Sequence, residues 1–241
     1  MCTVTYIPAK KEGDFVLTSN RDEKVFRPTV APRIYEFGEI KAGFPKDQKA
    51  GGSWIAANNR GRLCCLLNGA FIPHKKKLQY AQSRGNILIE TVSSSKNPQQ
   101  YFAEKDLSEV EPFTIISVEK CNGGISHFSE FIWDGIQKHF RLLNPEEPQI
   151  WSSVTLYSKE NRDLRKHWFS RFLEQQNGTF SPESILSFHA GKHTDDNSVN
   201  LVMEREDGLK TVSITQVISE NGKYRMNYFD LHKQQNASLK I

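Results

Sequence analysis

Residues Thr3 to Ile7 alternate between polar and apolar positions, a charged stretch from Lys10 to Asp14 interrupts them, and Phe15 to Asn20 is apolar again. That pattern predicts a β-hairpin. A second hairpin is predicted from Ser53 to Ala57, through the turn Asn58-Asn59-Arg60-Gly61, into Leu63–Asn68, because these turn residues tolerate positive φ. The unbroken apolar run Leu63 to Leu67 predicts a strand covered on both faces.

Helical spacing follows. Tyr80 to Val92 carries Ile87, Leu88 and Val92 on one side, and Gln99 to Lys105 forms a shorter piece with Pro98 suited to a first turn. The stretch from Lys159 to Gln176 puts Leu164, Trp168, Phe172 and Leu173 on a helical stripe and ends at Asn177-Gly178. Ser181-Pro182 opens another helix with a cap and a proline. Phe113 to Val118, the run through Phe131-Ile132-Trp133 beyond a Gly123-Gly124 turn, and Ile150 to Leu156 read as strands. So do Val199 to Met203, Thr211 to Val217 and Tyr224 to Leu231, separated by Asp207-Gly208 and Asn221-Gly222 turns. Segregated runs of strands and helices imply an α+β fold. The expected architecture is a four-layer αββα sandwich of two mainly antiparallel sheets.

Composition narrows this little further. At 241 residues, 37% of them hydrophobic, the chain can fill one sizeable core, and a single domain over residues 1–241 is expected. A net charge of +4 is too small a bias to predict a nucleic-acid partner. Lys75-Lys76-Lys77 reads as a solvated loop. No run approaches the roughly 18 apolar residues of a membrane span, and no signal peptide opens the chain, so a cytoplasmic protein with reduced thiols is expected. Cys64 and Cys65 point to opposite faces of a strand and cannot share a metal. His189 and His193 have a helical metal spacing, but Gly191 lies between them, and neither metal nor cofactor is expected.

The most informative chemistry is at the start. Cys2 follows the initiator, and removal of Met1 would expose a thiol beside a free α-amine. The amine, with an ordinary pKa of about 7.7–8.0, can take the proton of a thiol whose ordinary value is about 8.5. A cysteine at position 2 can also be a small residue of no consequence. The predicted first hairpin returns Asn20, Arg21 and Asp22 to its neighbourhood.

Met1-Cys2-Thr3, Asn20-Arg21-Asp22-Glu23, Gly52-Ser53-Trp54-Ile55-Ala56 and Asn59-Arg60-Gly61-Arg62 through Leu67-Asn68 occur in that order within the first 70 residues. Together they resemble the NRDE family, whose eukaryotic members are the transport-and-Golgi-organisation 2-like proteins. Trp151 to Ser158 and the closing strands are similar to the family's second half, with no single identifying motif. The family in turn resembles N-terminal nucleophile (Ntn) hydrolases of the choloylglycine hydrolase and penicillin V acylase type. That resemblance implies Cys2 as nucleophile, Arg21 and Asp22 as its charged neighbours, and Asn68 as oxyanion donor. Arg21 and Asp22 are adjacent here, whereas the acylases space theirs. Asn20, Asn59 and Ser153 are carried as substrate-binding candidates.

Each residue has a plainer reading beside this one. Arg21 can pair with Asp22 or Glu23, Asp22 can cap the turn after its strand, and Asn68 and Asn59 can be turn residues. The implied activity is amide hydrolysis through a thioester, on a small-molecule amide other than a peptide. The alternative is a non-catalytic binding or trafficking protein that handles haem or acyl lipids.

Overall fold

The structure is a computed structural model that describes residues 3–122 and 124–241. Met1, Cys2 and Gly123 lie outside the described residues, and with them the proposed nucleophile and half of the Gly123-Gly124 turn.

The N-terminal hairpin forms as the alternation requires. Strand β1 (Thr3–Pro8) pairs antiparallel with β2 (Phe15–Lys24), Thr3 opposite Asn20 and Pro8 opposite Phe15. Because β2 continues to Lys24, Arg21 and Asp22 are strand residues on opposite faces. A hairpin that the polar pattern does not reveal comes next, β3 (Thr29–Phe37) and β4 (Ile40–Asp47). The second expected hairpin is β5 (Ile55–Asn58) and β6 (Arg62–Asn68), with Ile55 opposite Cys65.

Two helices follow, α1 (Arg84–Ser93), capped by Ser83, and α2 (Pro98–Glu104), capped by Asn97. Strands β7 (Phe113–Cys121), β8 (Gly124–Trp133), β9 (Lys138–Leu142) and β10 (Gln149–Ser152) lead to helices α3 (Lys159–Gln175) and α4 (Pro182–Ala190). Strands β11 (Leu209–Glu220), β12 (Lys223–Asp230) and β13 (Gln235–Lys240) complete the chain.

The strands form two sheets. One has the order β10-β1-β2-β11-β12-β13, so its centre joins strands from both ends of the chain; the other runs β3-β4-β5-β6-β7-β8-β9. Their inner faces meet through Val4, Tyr6 and Leu17 against Ile55, Leu63, Cys65 and Leu67, all at most 3% exposed. Outside the second sheet, Ile87, Leu88 and Val92 of α1 and Phe102 of α2 pack on Ala56, Cys64 and Leu66. Outside the first, Phe169, Phe172, Ile185 and Phe188 from α3 and α4 cover Ile7, Val16 and Ile218. These layers make the α+β, αββα sandwich that the sequence predicts.

Three expectations need correction. Residues 199–203 form turns rather than a strand, although Leu201 and Met203 are buried. Strand β10 stops at Ser152, and residues 153–158 turn towards α3. On α3 the buried positions are Arg165, Phe169 and Phe172, whereas Leu164 is 37% exposed. A cation holds the position where an apolar stripe was expected, because its partners lie beneath the helix.

Candidate active site at the start of the first strand

Thr3 pairs on one side with Asn20 and on the other with Ser152. The two strands flanking the start of β1 therefore end, or continue, with Arg21 and with Ser153. Arg21 is 3% exposed and directs its side chain towards the second sheet. Its Nη2 donates to Asp47 Oδ2 at 2.6 Å, and its Cζ lies 4.7 Å from the centroid of the Trp54 ring. Asp47, at the end of β4, also takes the Arg27 Nε at 2.7 Å, whereas Glu23 is 3.9 Å from Arg21. Of the pairings expected with Asp22 or Glu23, the one with Glu23 forms at the outer limit of an ion pair, and a shorter buried bridge to Asp47 dominates it. Alternation along β2 separates Arg21 from Asp22, and nothing in the sequence around Asp47 announced it.

Asp22 faces the helical layer instead. Its carboxylate accepts from Thr211 Oγ1 at 2.6 Å and from the Tyr157 hydroxyl. It caps no turn, since it lies within β2.

Asn68 closes β6, and Gly69 follows with φ of +89°, a conformation that costs glycine little. A Cβ at Gly69 would also come within 2.9 Å of Thr155 Cγ2, so the chain leaves β6 pressed against residues 153–155. Ser153 Oγ donates to the Asn68 carbonyl at 2.8 Å, tying the segment after β10 to the end of β6. The half-buried Asn68 lines two cavities. One, of about 510 Å³, is also lined by Phe71, Ile132, Trp151 and Ser153, and the other, of about 450 Å³, by Arg21 and Trp54.

The structure brings together Arg21, Asn68 and Ser153, and leaves two other candidates elsewhere. Asn20 is fully buried: its Nδ2 donates to the carbonyls of Leu201 at 2.7 Å and His189 at 3.2 Å, and its Oδ1 accepts from His189 Nδ1 at 2.5 Å. It organises the interior rather than a substrate. Asn59 sits in the β5–β6 turn, where its Oδ1 accepts from the Lys41 amide. At ~3.3 Å per residue along β6, it lies some 20–30 Å from Asn68 and cannot share a ligand with it.

Residues that the sequence did not connect with the site support this corner from behind. His189 is fully buried. Since the Asn20 amide nitrogen is committed to carbonyls, its oxygen accepts from Nδ1–H, and Nε2 accepts from the Thr5 hydroxyl at 2.7 Å. Burial, reinforced by His193 and Arg165, pushes its pKa down to about 3. The ring is neutral at pH 7. Arg165 donates from Nη1 to Thr3 Oγ1 and from Nη2 to the Asn200 carbonyl, both at 2.6 Å, and lies 3.4 Å over the Tyr157 ring. His189 and His193 do not form a metal pair, because His193 Nε2 contacts the Phe188 carbonyl at 2.8 Å. Among the described residues no cluster of His, Cys, Asp or Glu is arranged to hold a metal.

Cys64 and Cys65 are fully buried on opposite faces of β6, one under α1 and one between the sheets. Burial pushes their thiols up to about 11 and about 12, so neither is a nucleophile at neutral pH.

Residues 1–224 match the family described as Transport and Golgi organisation 2. The chain belongs to that family. No curated relative matches it at a significant level. The solved structures it resembles include a variant of the conjugated bile acid hydrolase from Clostridium perfringens, with a TM-score of 0.60 and 10% identity over 99% of this chain and 92% of that one. An N-acylethanolamine-hydrolyzing acid amidase orthologue from Caenorhabditis elegans gives 0.59 and 12%, over 90% and 92%. Penicillin V acylase from Agrobacterium tumefaciens gives 0.59 and 9%, over 100% and 86%. This member of the Transport and Golgi organisation 2 family therefore has the fold of the Ntn amide hydrolases. No helix among its described residues is long and apolar enough to cross a membrane.

Proposed function

We propose that the chain is an N-terminal-cysteine amidohydrolase acting on a small amide through a thioester. The observation that carries this reading is that Arg21 and Asn68, from different sheets, line one cavity, and that Arg21 directly follows Asn20, the partner of Thr3 across the first hairpin. Cys2 is one peptide bond from Thr3, and consecutive Cα atoms are ~3.8 Å apart. Val4 and Tyr6 of the strand that follows it send their side chains into the space between the sheets. The names of the structural neighbours, each an amide hydrolase or acylase, agree with this chemistry.

In this mechanism Met1 is removed and the freed α-amine of Cys2 takes the thiol proton. The Arg21 guanidinium favours the thiolate by its charge. The sulfur attacks the amide carbonyl carbon, and the Asn68 side-chain N–H holds the resulting oxyanion. As the C–N bond breaks, the α-ammonium gives its proton to the leaving nitrogen. Water then adds to the thioester, releasing the acid and returning the thiol. Ser153 fixes the Asn68 backbone and so positions the donor, and Tyr157 and Thr211 hold the Asp22 carboxylate on the helical side of β2.

The test is hydrolysis of a panel of N-acyl amides by wild type, Cys2→Ala and Asn68→Ala. The reading requires that Cys2→Ala abolish amine release and that Asn68→Ala lower kcat by about 10²–10³. Turnover that survives Cys2→Ala refutes it.

A further inference from the structure

The cavity at Arg21 contains more chemistry than bond cleavage requires. Arg21, Arg27, Lys76 and Arg84 line it, with three carboxylates among them. Asp47 bridges Arg21 and Arg27 at 2.6 and 2.7 Å, Glu23 takes Arg27 at 2.9 Å, and Glu111 takes Arg84 at 3.0 Å. Lys76 makes no ion pair among the described residues, so the walls carry one positive charge in excess.

Of the buried donors in its lining that lack a well-aligned hydrogen bond among the described residues, Arg27 Nε lies 2.7 Å from Asp47 Oδ2, which leaves two without an acceptor, Arg21 Nη1 and Trp54 Nε1. They are neighbours, since the Arg21 Cζ lies 4.7 Å from the Trp54 ring centroid. Buried donors are ordinarily satisfied, and an exception calls for a partner from outside the chain. Two adjacent N–H groups beside an excess of one positive charge suit the two oxygens and single charge of a carboxylate.

The second cavity meets this one at Asn68 and has apolar walls at Leu67, Phe71, Ile132, Phe140 and Trp151. We infer that the Arg21–Trp54 cavity is a carboxylate subsite and that the substrate is an N-acyl amino acid. Its carboxylate lies against Arg21 Nη1 and Trp54 Nε1, its acyl chain runs along the apolar wall of the second cavity, and its amide carbonyl sits at Asn68. This deepens the amidase reading and rests on it for the position of the amide bond.

The experiment is calorimetric titration of the Cys2→Ala protein with N-decanoylglycine and with its methyl ester, which keeps the amide and the chain but lacks the charge. The acid should bind at least about tenfold more tightly, the worth of one charge-assisted hydrogen bond. Trp54→Phe keeps a ring against Arg21 and removes the N–H; it should lower the acid-to-ester ratio by at least about threefold while ester affinity is held. Equal affinity for acid and ester in the Cys2→Ala protein overturns the subsite, and this comparison does not depend on the Trp54 substitution. A ratio that Trp54→Phe leaves unchanged overturns it too. Turnover of neutral amides without acid preference removes the subsite and spares the amidase reading, whereas acid preference without turnover does the reverse.

Discussion

Arg165 Nη1 donates to Thr3 Oγ1 at 2.6 Å, and this bond fastens the middle of α3 to the first described residue of β1. The same guanidinium serves the Val199 and Asn200 carbonyls and is 1% exposed. Replacing it with methionine preserves bulk but orphans those acceptors, at ~1–3 kcal/mol net of the desolvation that a buried cation no longer incurs. Urea unfolding of Arg165→Met should show a loss in that range. Amide hydrolysis should fall further than stability does, because the start of β1 loses its anchor. Equal activity in the folded variant would remove Arg165 from the positioning of the site.

His189 gives a pH signature. Its folded pKa of about 3 lies below the ordinary imidazole value of 6.5, so the unfolded chain takes up its proton first as pH falls. The stability this group contributes is intact above pH 6.5 and drains away towards pH 3, by up to about 1.4 kcal/mol per pH unit. His189→Gln should be the less stable protein at pH 7 and should lose its disadvantage by pH 4 to 5. Denaturant midpoints at pH 7, 6, 5 and 4 check this, and parallel curves would contradict it.

The β1–β2 and β5–β6 hairpins and the positions of the helices were legible because local pattern and tertiary packing agree there, although the buried face of α3 was not. The β3–β4 hairpin was not. Its β4 strand uses Ala42 and Gly43 where a large apolar residue would advertise it, and a Cβ at Gly43 would meet Ile241 Cδ1 at 2.5 Å. Small residues there admit the C-terminus, a partner about 200 positions away. Residues 199–203 misled in the other direction. Their hydrophobicity signals burial correctly, but their carbonyls accept from side chains: Leu201 from Asn20, and Val199 and Asn200 from Arg165. At the site, motif order put Arg21 and Asn68 forward as candidates. The surroundings come from other elements and assemble only on folding: Asp47 reaches Arg21, Tyr157 reaches Asp22, and Arg165 reaches Thr3.

Gly52 and Gly85 mark where α1 seats against the chain before β5. A Cβ on Gly52 would lie 2.6 Å from the Gly85 carbonyl carbon, and one on Gly85 would lie 2.9 Å from the Ser53 carbonyl oxygen. Gly85, a weak helix former in the first turn of α1, is thus required by close packing. Gly52→Ala and Gly85→Ala should each cost ~1–3 kcal/mol by overpacking and disturb the Arg21–Trp54 cavity they border. Thermal unfolding measures the first effect and ligand titration the second.

Thiol chemistry separates structural from reactive cysteines. At pH 7 Cys64 and Cys65, buried and with thiol pKa values of about 11 and 12, should resist iodoacetamide until the protein unfolds, whereas the exposed Cys121 should be modified. In a Cys121→Ser protein the remaining fast label should map to Cys2. Rapid labelling of Cys64 or Cys65 in the folded protein would contradict their placement.

The mechanism is tested most directly by catching the intermediate. Wild-type protein is mixed briefly with an N-acyl p-nitroanilide, quenched in acid, digested and analysed by mass spectrometry. An acyl group in thioester linkage on a peptide that begins at Cys2 is expected. A peptide that still begins at Met1, or anilide release with no acyl group ever found on that sulfur, would contradict the mechanism.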